Sequence, residues 1–287
     1  MSSDKITSLG SFIDRVGKLR KTWDQSIHRE LWFRGESERY ETRLRPELYR
    51  PRKNAELKPI DDLLNIEIAL YKDFERRAVQ LATEEKSGDE YWHWDSYFLM
   101  QHHLAPTRLL DWSDGALIAL HFALRNKPNE AEQDAIVYAL EPYRLRDELE
   151  ALAKNEHIDK KWKKYVEAHP GEEHSEDEWE DSYLPAKDED GLKELNIPCA
   201  PLVLDMPHIS RRVAAQRSQF IIFGTDPSWL SETLKRPDAP IAEIVIAGHA
   251  RDQVRSELRD TGVSESVIFP DLDGLGREIR QLWDDRR

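Results

Sequence analysis

The sequence predicts an α+β fold, and three observations predict it. Short apolar runs suited to strands, "LWFRG" (Leu31 to Gly35), "AIVYAL" (Ala135 to Leu140) and "AEIVIAG" (Ala242 to Gly248), are spread along the chain. Segments whose apolar residues recur at helical spacing lie between them. The two kinds follow one another without regular βαβ alternation, so a doubly wound parallel sheet is not expected.

At 287 residues the chain can bury a real core as one domain, and nine tryptophans supply large apolar area for it. A formal charge of −14, with 34% charged residues, argues for a soluble cytoplasmic protein. It argues against nonspecific affinity for nucleic acid or anionic membrane. The lone cysteine, Cys199, excludes an internal disulfide and CxxC zinc or redox motifs. The opening "MSSDKITSLG" lacks a basic stretch followed by an apolar run, so no signal peptide is expected. No segment approaches the ~20 apolar residues of a membrane span.

In chain order, Leu9, Phe12, Ile13, Val16 and Leu19 predict an amphipathic helix over residues 7–22, and "ELWFRG" follows as the first strand. Residues 60–82 read as a long helix with Leu63, Leu64, Ile66, Leu70, Phe74 and Ala78 facing inward. Tyr91 to His103 is a further helix, stopped by Ala105-Pro106. "TRLLDW" (Thr107 to Trp112) is a strand, and Ser113 to Leu124 a buried helix with Ser113 as N-cap. "AIVYAL" reads as a strand covered on both faces. Residues 141–190 then change character, charged and helical at first and strongly acidic from Gly171 to Asp190. They are expected to form an insertion outside the core. Strands are predicted at "PLVLD" and "AEIVIAG", with "RRVAAQRSQFIIFG" between them. A helix stopped by Gly262 and a final helix, Leu275 to Trp283, close the chain.

Three constellations could carry chemistry. In "LWFRGE", Arg34 stands in an apolar strand. A guanidinium there needs an internal acid or a bound anion, and both readings stay open. The second is "MQHHLAPTRLLDWSDGALIALHFA", where Gln101, His102, His103, Thr107, Arg108, Asp111, Trp112 and Ser113 crowd one stretch. Asp111 could pair with Arg34 or Arg108. His102 and His103 point about 100° apart on a helix. Together with His93 and His121 they show no metal-ligand spacing, so no metal site is expected. Ser113 reads as a cap in preference to a nucleophile. The third constellation is "RRVAAQRSQF", with Gln216 and Gln219, neutral amides suited to hydrogen bonding and poor as bases. The cationic run Arg43 to Lys53 reads as a solvated loop. No GxSxG, P-loop or GxGxxG motif occurs.

Taken together, "FRG", the QHH–PTRLLDW–AL–FA string, "AIVYAL", "RRVAAQRSQF" and "IFPDLDGLGREI" resemble the FRG domain, a bacterial family, from about Leu31 to Ile279. The order of a strand bearing Arg-Gly, a Thr/Ser strand before a helix, and an apolar strand is also similar to the ADP-ribosyltransferase core. That similarity implies a split β-sheet and NAD as substrate. Arg34 and Gly35, with Thr107, Arg108, Ser113 and Gln219, would hold the dinucleotide. Catalysis would fall to Arg34, Asp111, His102 and Gln216, since glutamines stand where the third motif carries a glutamate. The implied function is transfer of ADP-ribose to a protein or nucleic acid, as a toxin or phage-defence effector with an antitoxin or defence-system partner. A non-catalytic module that binds a nucleotide or a partner through the same pocket is the alternative. A nuclease built on Asp111 and the histidines ranks below both.

Overall fold

The computed structural model describes residues 5–23, 30–53, 55–78, 92–126, 132–155, 167, 178–185, 197–204 and 211–284. Within them runs one six-stranded sheet of antiparallel pairs, ordered β4-β5-β2-β1-β3-β6. The strands are β1 (Trp32–Glu36), β2 (Leu109–Ser113), β3 (Ala135–Leu140), β4 (Leu202–Leu204), β5 (Ser218–Ile222) and β6 (Ile241–Ile246). The continuous apolar run of β3 lies between β1 and β6, with every residue buried, as its composition predicts.

Around the sheet lie α1 (Leu9–Thr22), α2 (Ile60–Ala78), α3 (Trp92–His102), α4 (Ala116–Arg125) and α5 (Pro142–Asn155). The C-terminal part adds α6 (Arg211–Gln216), α7 (Trp229–Thr233), α8 (Arg251–Asp260), α9 (Glu265–Ile268) and α10 (Leu272–Asp284). Gly262, at φ +87°, follows α8 as the expected glycine stop. No helix among the described residues is long and apolar enough to cross a membrane.

The β1–β2 junction decides where a site can form. β1 and β3 share five Cα partners and β2 and β5 another five, whereas β1 and β2 meet at a single pair, Phe33 and Ser113. On one face, α1, α4 and α8 cover the β1-β3-β6 half through Phe12, Leu120, Leu124 and Val254. On the same face, α3 covers the β4-β5-β2 half through Phe98 and Met100, packed with Leu109, Phe220 and Leu204. Between α3 and α4 the seam stays open.

Several sequence expectations change here. The inward face of α2 is Leu63, Glu67 and Tyr71, while Ile66 and Leu70 are exposed. The helix turns a carboxylate inward because Arg108 waits there to meet it. The N-cap of α4 is Gly115 and not Ser113, which ends β2. The Ser113 hydroxyl still accepts a bond from a backbone N–H two residues on, that of Gly115, at 3.0 Å. The stretch 141–190 is not peripheral throughout. Leu145 and Leu149 of α5 enter the core beneath β3, and Tyr183 and Leu184, inside the acidic stretch, pack on β4 and β5. Residues 171–177 and 186–190 of that stretch lie outside the described residues.

Candidate functional site

The seam opens into a cleft of about 370 Å³. Arg34, Gly35, His102, Asp111, Ser113 and Gln216 all line it, drawn from β1, α3, β2 and α6. Thr107, Arg108 and Gln219 do not, and each has a physical reason.

Arg108 is fully buried and already matched. Its Nε donates to Glu67 Oε2 at 2.6 Å, its Nη1 to the Phe223 carbonyl at 2.9 Å, and its Nη2 to the Tyr183 carbonyl. The Glu67 carboxylate takes the Tyr97 hydroxyl as well. A guanidinium spent in this way ties α2, β2, β5 and the 178–185 segment together, and it has nothing left for a ligand. Gln219 is a neighbour in register with Trp112, on the face opposite Phe220. Its Oε1 is buried, with no hydrogen-bond partner among the described residues. Thr107 is fully buried beneath the cleft floor.

Arg34 does have an internal acid, the buried Glu36 of its own strand in place of Asp111. It has no ion pair with the Asp111 carboxylate. Its Nη1 donates to the Asp111 main-chain carbonyl at 2.7 Å, across the point where β1 and β2 part, and its Nε reaches Glu36 Oε1 at 3.3 Å. Its side chain is 15% exposed, toward the cleft. Gly35 allows a close approach by α4. A Cβ there would stand 2.0 Å from the Ala119 carbonyl oxygen and 2.5 Å from the Ala123 nitrogen.

Asp111 is the one exposed residue of β2. Its Oδ2 accepts from Gln101 Nε2 at 2.7 Å. Although its surface is open to the cleft, the protein mass packed around the cleft floor displaces bulk water and raises its carboxyl above the usual range, against the opposing pull of Arg34, the Gln101 bond and Arg50. His102 lines the cleft with its ring edge-on to that of His103, 5.1 Å away, consistent with side chains splayed around the end of α3. Ser113 donates its hydroxyl to the Gln216 carbonyl at 2.7 Å, which locks β2 to α6. The Gln216 side chain donates to the Ile268 carbonyl at 3.5 Å, a long bond that holds it at the rim.

Sequence reasoning missed three contributors. Arg50, from the run read as a solvated loop, lines the cleft. Its guanidinium is lowered in pKa by burial and by the nearby Arg34 charge, and its Nε donates to the Arg45 carbonyl. Gln101 lay in the dense motif without a role. Aromatic walls complete the cleft: Phe98 and Phe220 pack at 5.0 Å on one side, Phe122 and Phe269 edge-on at 5.9 Å on the other. The phenylalanines of "LHFAL" and "IFP" were the only signal for the second wall. Among the described residues, no group of three or more His, Cys, Asp or Glu is arranged to hold a metal ion.

Residues 29–132 match the family model of the FRG domain. The match begins just before β1 and ends just after α4, so it spans Arg34, Gln101 and Asp111 and leaves α6, β5 and Phe269 outside. No curated protein and no solved structure matches the chain.

Proposed function

We propose that the FRG-domain span forms the floor of an NAD site, and that the protein transfers the ADP-ribosyl group of NAD to a macromolecular target. The observation that carries this reading is Asp111, an exposed carboxylate held at the bottom of an aromatic-walled cleft with Arg34 and Arg50 beside it. Breaking the bond between the ribose and nicotinamide sends the bonding pair to the nicotinamide nitrogen and leaves an oxocarbenium-like ribose. A fixed carboxylate facing that cation stabilises it more than a hydrated one would. A raised carboxyl pKa also makes Asp111 a better acceptor for the proton that the target nucleophile loses as it bonds to the ribose. Arg34 and Arg50 supply the charge for the pyrophosphate, and Arg50 takes the place expected of Arg108. The one seam pair between two half-sheets fits the split sheet such enzymes use. A toxin or phage-defence role, with an antitoxin or defence-system partner, follows from the same reading.

The alternative, a binding module without catalysis, draws on one feature. The cleft positions contributed by α6 and β5 are Val213, Gln216, Ser218 and Phe220, with no carboxylate among them. Nicotinamide release from NAD, measured with and without cell extract as target source, separates the two. Transfer predicts release by the wild type and a loss of at least a hundredfold in Asp111→Asn, with NAD affinity within about threefold. Calorimetric NAD binding without release under any condition would leave the binding module. A result with neither heat nor release would remove the transfer reading and leave a module that binds something other than NAD.

A further inference from the structure

Thr107 is buried, yet both sides of its hydroxyl are in use. The oxygen accepts the Leu109 N–H at 3.1 Å, so its single proton must go elsewhere, and Gln101 Oε1 lies 2.5 Å away. The other end of the same amide, Nε2, donates to Asp111 Oδ2 at 2.7 Å. A side-chain amide presents an acceptor on one arm and donors on the other, and rotation by half a turn exchanges them. With the arms exchanged, Gln101 would set its oxygen against the Asp111 carboxylate, and its NH₂ would face a hydroxyl that has no other acceptor for its proton. Thr107 therefore fixes which arm Asp111 meets.

We infer that Gln101, locked by Thr107, is the positioning residue for Asp111. It holds the carboxylate with a donor on Oδ2 and leaves the group open to the cleft in its ionised form. The inference rests on the transfer reading for its role in turnover, though not for its geometry. Gln101 belongs to the end of α3 and Asp111 to the middle of β2, so the two bonds also set how far α3 stands from the seam. The other charged or titratable groups of the cleft are Arg34 and Glu36 from β1, Tyr40, Glu47 and Arg50 from the loop after it, His102 from α3, and Arg125 from α4. The bond to the Asp111 carboxylate comes from Gln101, and Arg34 reaches the main-chain carbonyl of Asp111 instead.

The direct test is the titration of the Asp111 carboxyl, followed by carbon-13 NMR on the full chain with labelled aspartate and assigned through Asp111→Asn. Removing the donor in Gln101→Leu should raise the titration midpoint by about one pH unit, the scale of one hydrogen bond to a charged group. Thr107→Val leaves the amide free to turn and offer its oxygen to a protonated Asp111, so the midpoint should also rise. The double variant should go no higher than Gln101→Leu alone, because Thr107 acts only through Gln101. Thr107→Ser, which keeps the hydroxyl, should restore the wild-type value. A midpoint unmoved by Gln101→Leu, or shifts that add in the double variant, would overturn the inference. Gln101 faces the open cleft, so its variant reports even where Thr107→Val folds poorly. In turnover, the acid limb of the nicotinamide-release profile should move upward with the midpoint. A wild type that releases none overturns the transfer reading, and the titration then decides the relay by itself.

Discussion

Two arginines in short strand motifs, Arg34 and Arg108, have opposite fates, and their partners explain the difference. Arg108 meets a carboxylate and two carbonyls in the interior, so its charge is consumed. Arg34 meets one carbonyl and a 3.3 Å contact to Glu36, which itself also accepts the Leu44 N–H, and its side chain stays accessible to the cleft. Lysine in place of Arg34 keeps the charge and loses the fork. Arg34→Lys should therefore weaken NAD binding by about tenfold to a hundredfold, the value of one bidentate charge-assisted contact. The melting temperature should fall by only a few degrees, since the bond to Asp111 is a single one. Calorimetry and thermal melting on the same sample check this. A variant that melts early while binding NAD normally would make Arg34 purely structural. Nothing in the sequence separates the two arginines, because the acid that claims Arg108 is Glu67, forty-one positions away.

At the scale of elements, α4 and β1 form the closest contact that positions the site. Gly35 has α4 backbone against its Cα, so the helix sits one side-chain layer nearer the strand than usual. Gly35→Ala must push them apart, and it should cost about 3 kcal/mol, read as a fall in melting temperature of roughly 10 °C. Melting within a degree or two of the wild type would show that the helix yields freely. Much at this scale was legible in the sequence. β3 could be read from its unbroken apolar run. The orientation of α2 was not legible, because a pattern of apolar residues cannot foresee that Glu67 turns inward to neutralise Arg108. Asp111 and Arg34 were legible as site candidates. Arg50 was not, because its role comes from where the loop after β1 folds back and not from its neighbours in sequence.

Across the whole molecule, the C-terminal helices are fastened to the sheet by one buried carboxylate. Glu265 of α9 accepts from Arg125 and His121 of α4 and from Arg277 of α10, and both arginines flank the Phe269 ring at 4.5 and 4.9 Å. Burial pushes the Glu265 carboxyl up, but the bonds from Arg125, Arg277 and His121 outweigh it and leave it below its ordinary 4.5. His121 is lowered from 6.5 because burial disfavours the imidazolium. Both folded-state values lie below the unfolded ones, so both groups contribute stability at neutral pH that is lost on acidification. The loss should start as pH falls through about 6.5, where the unfolded chain begins to protonate His121 first. It should steepen below about 4.5 as Glu265 follows. Melting temperature against pH checks this. Glu265→Gln should begin lower at pH 7 and lose less on going to pH 4, and a variant curve parallel to the wild type would assign the acid sensitivity elsewhere.

The single-pair seam has a consequence for how the chain is threaded. Read in sequence order, β1 lies on one half-sheet, β2 on the other, β3 back on the first, β4 and β5 on the second, and β6 on the first again. The polypeptide is laced over the gap four times, like a cord through a boot, while only one rung of hydrogen-bonded residues spans it. That rung is supplemented by the Arg34 bond to the Asp111 carbonyl, and no single cut in the backbone could free one side of the sheet from the other. The two sides of the sheet are therefore joined far more by the path of the chain than by the ladder between β1 and β2.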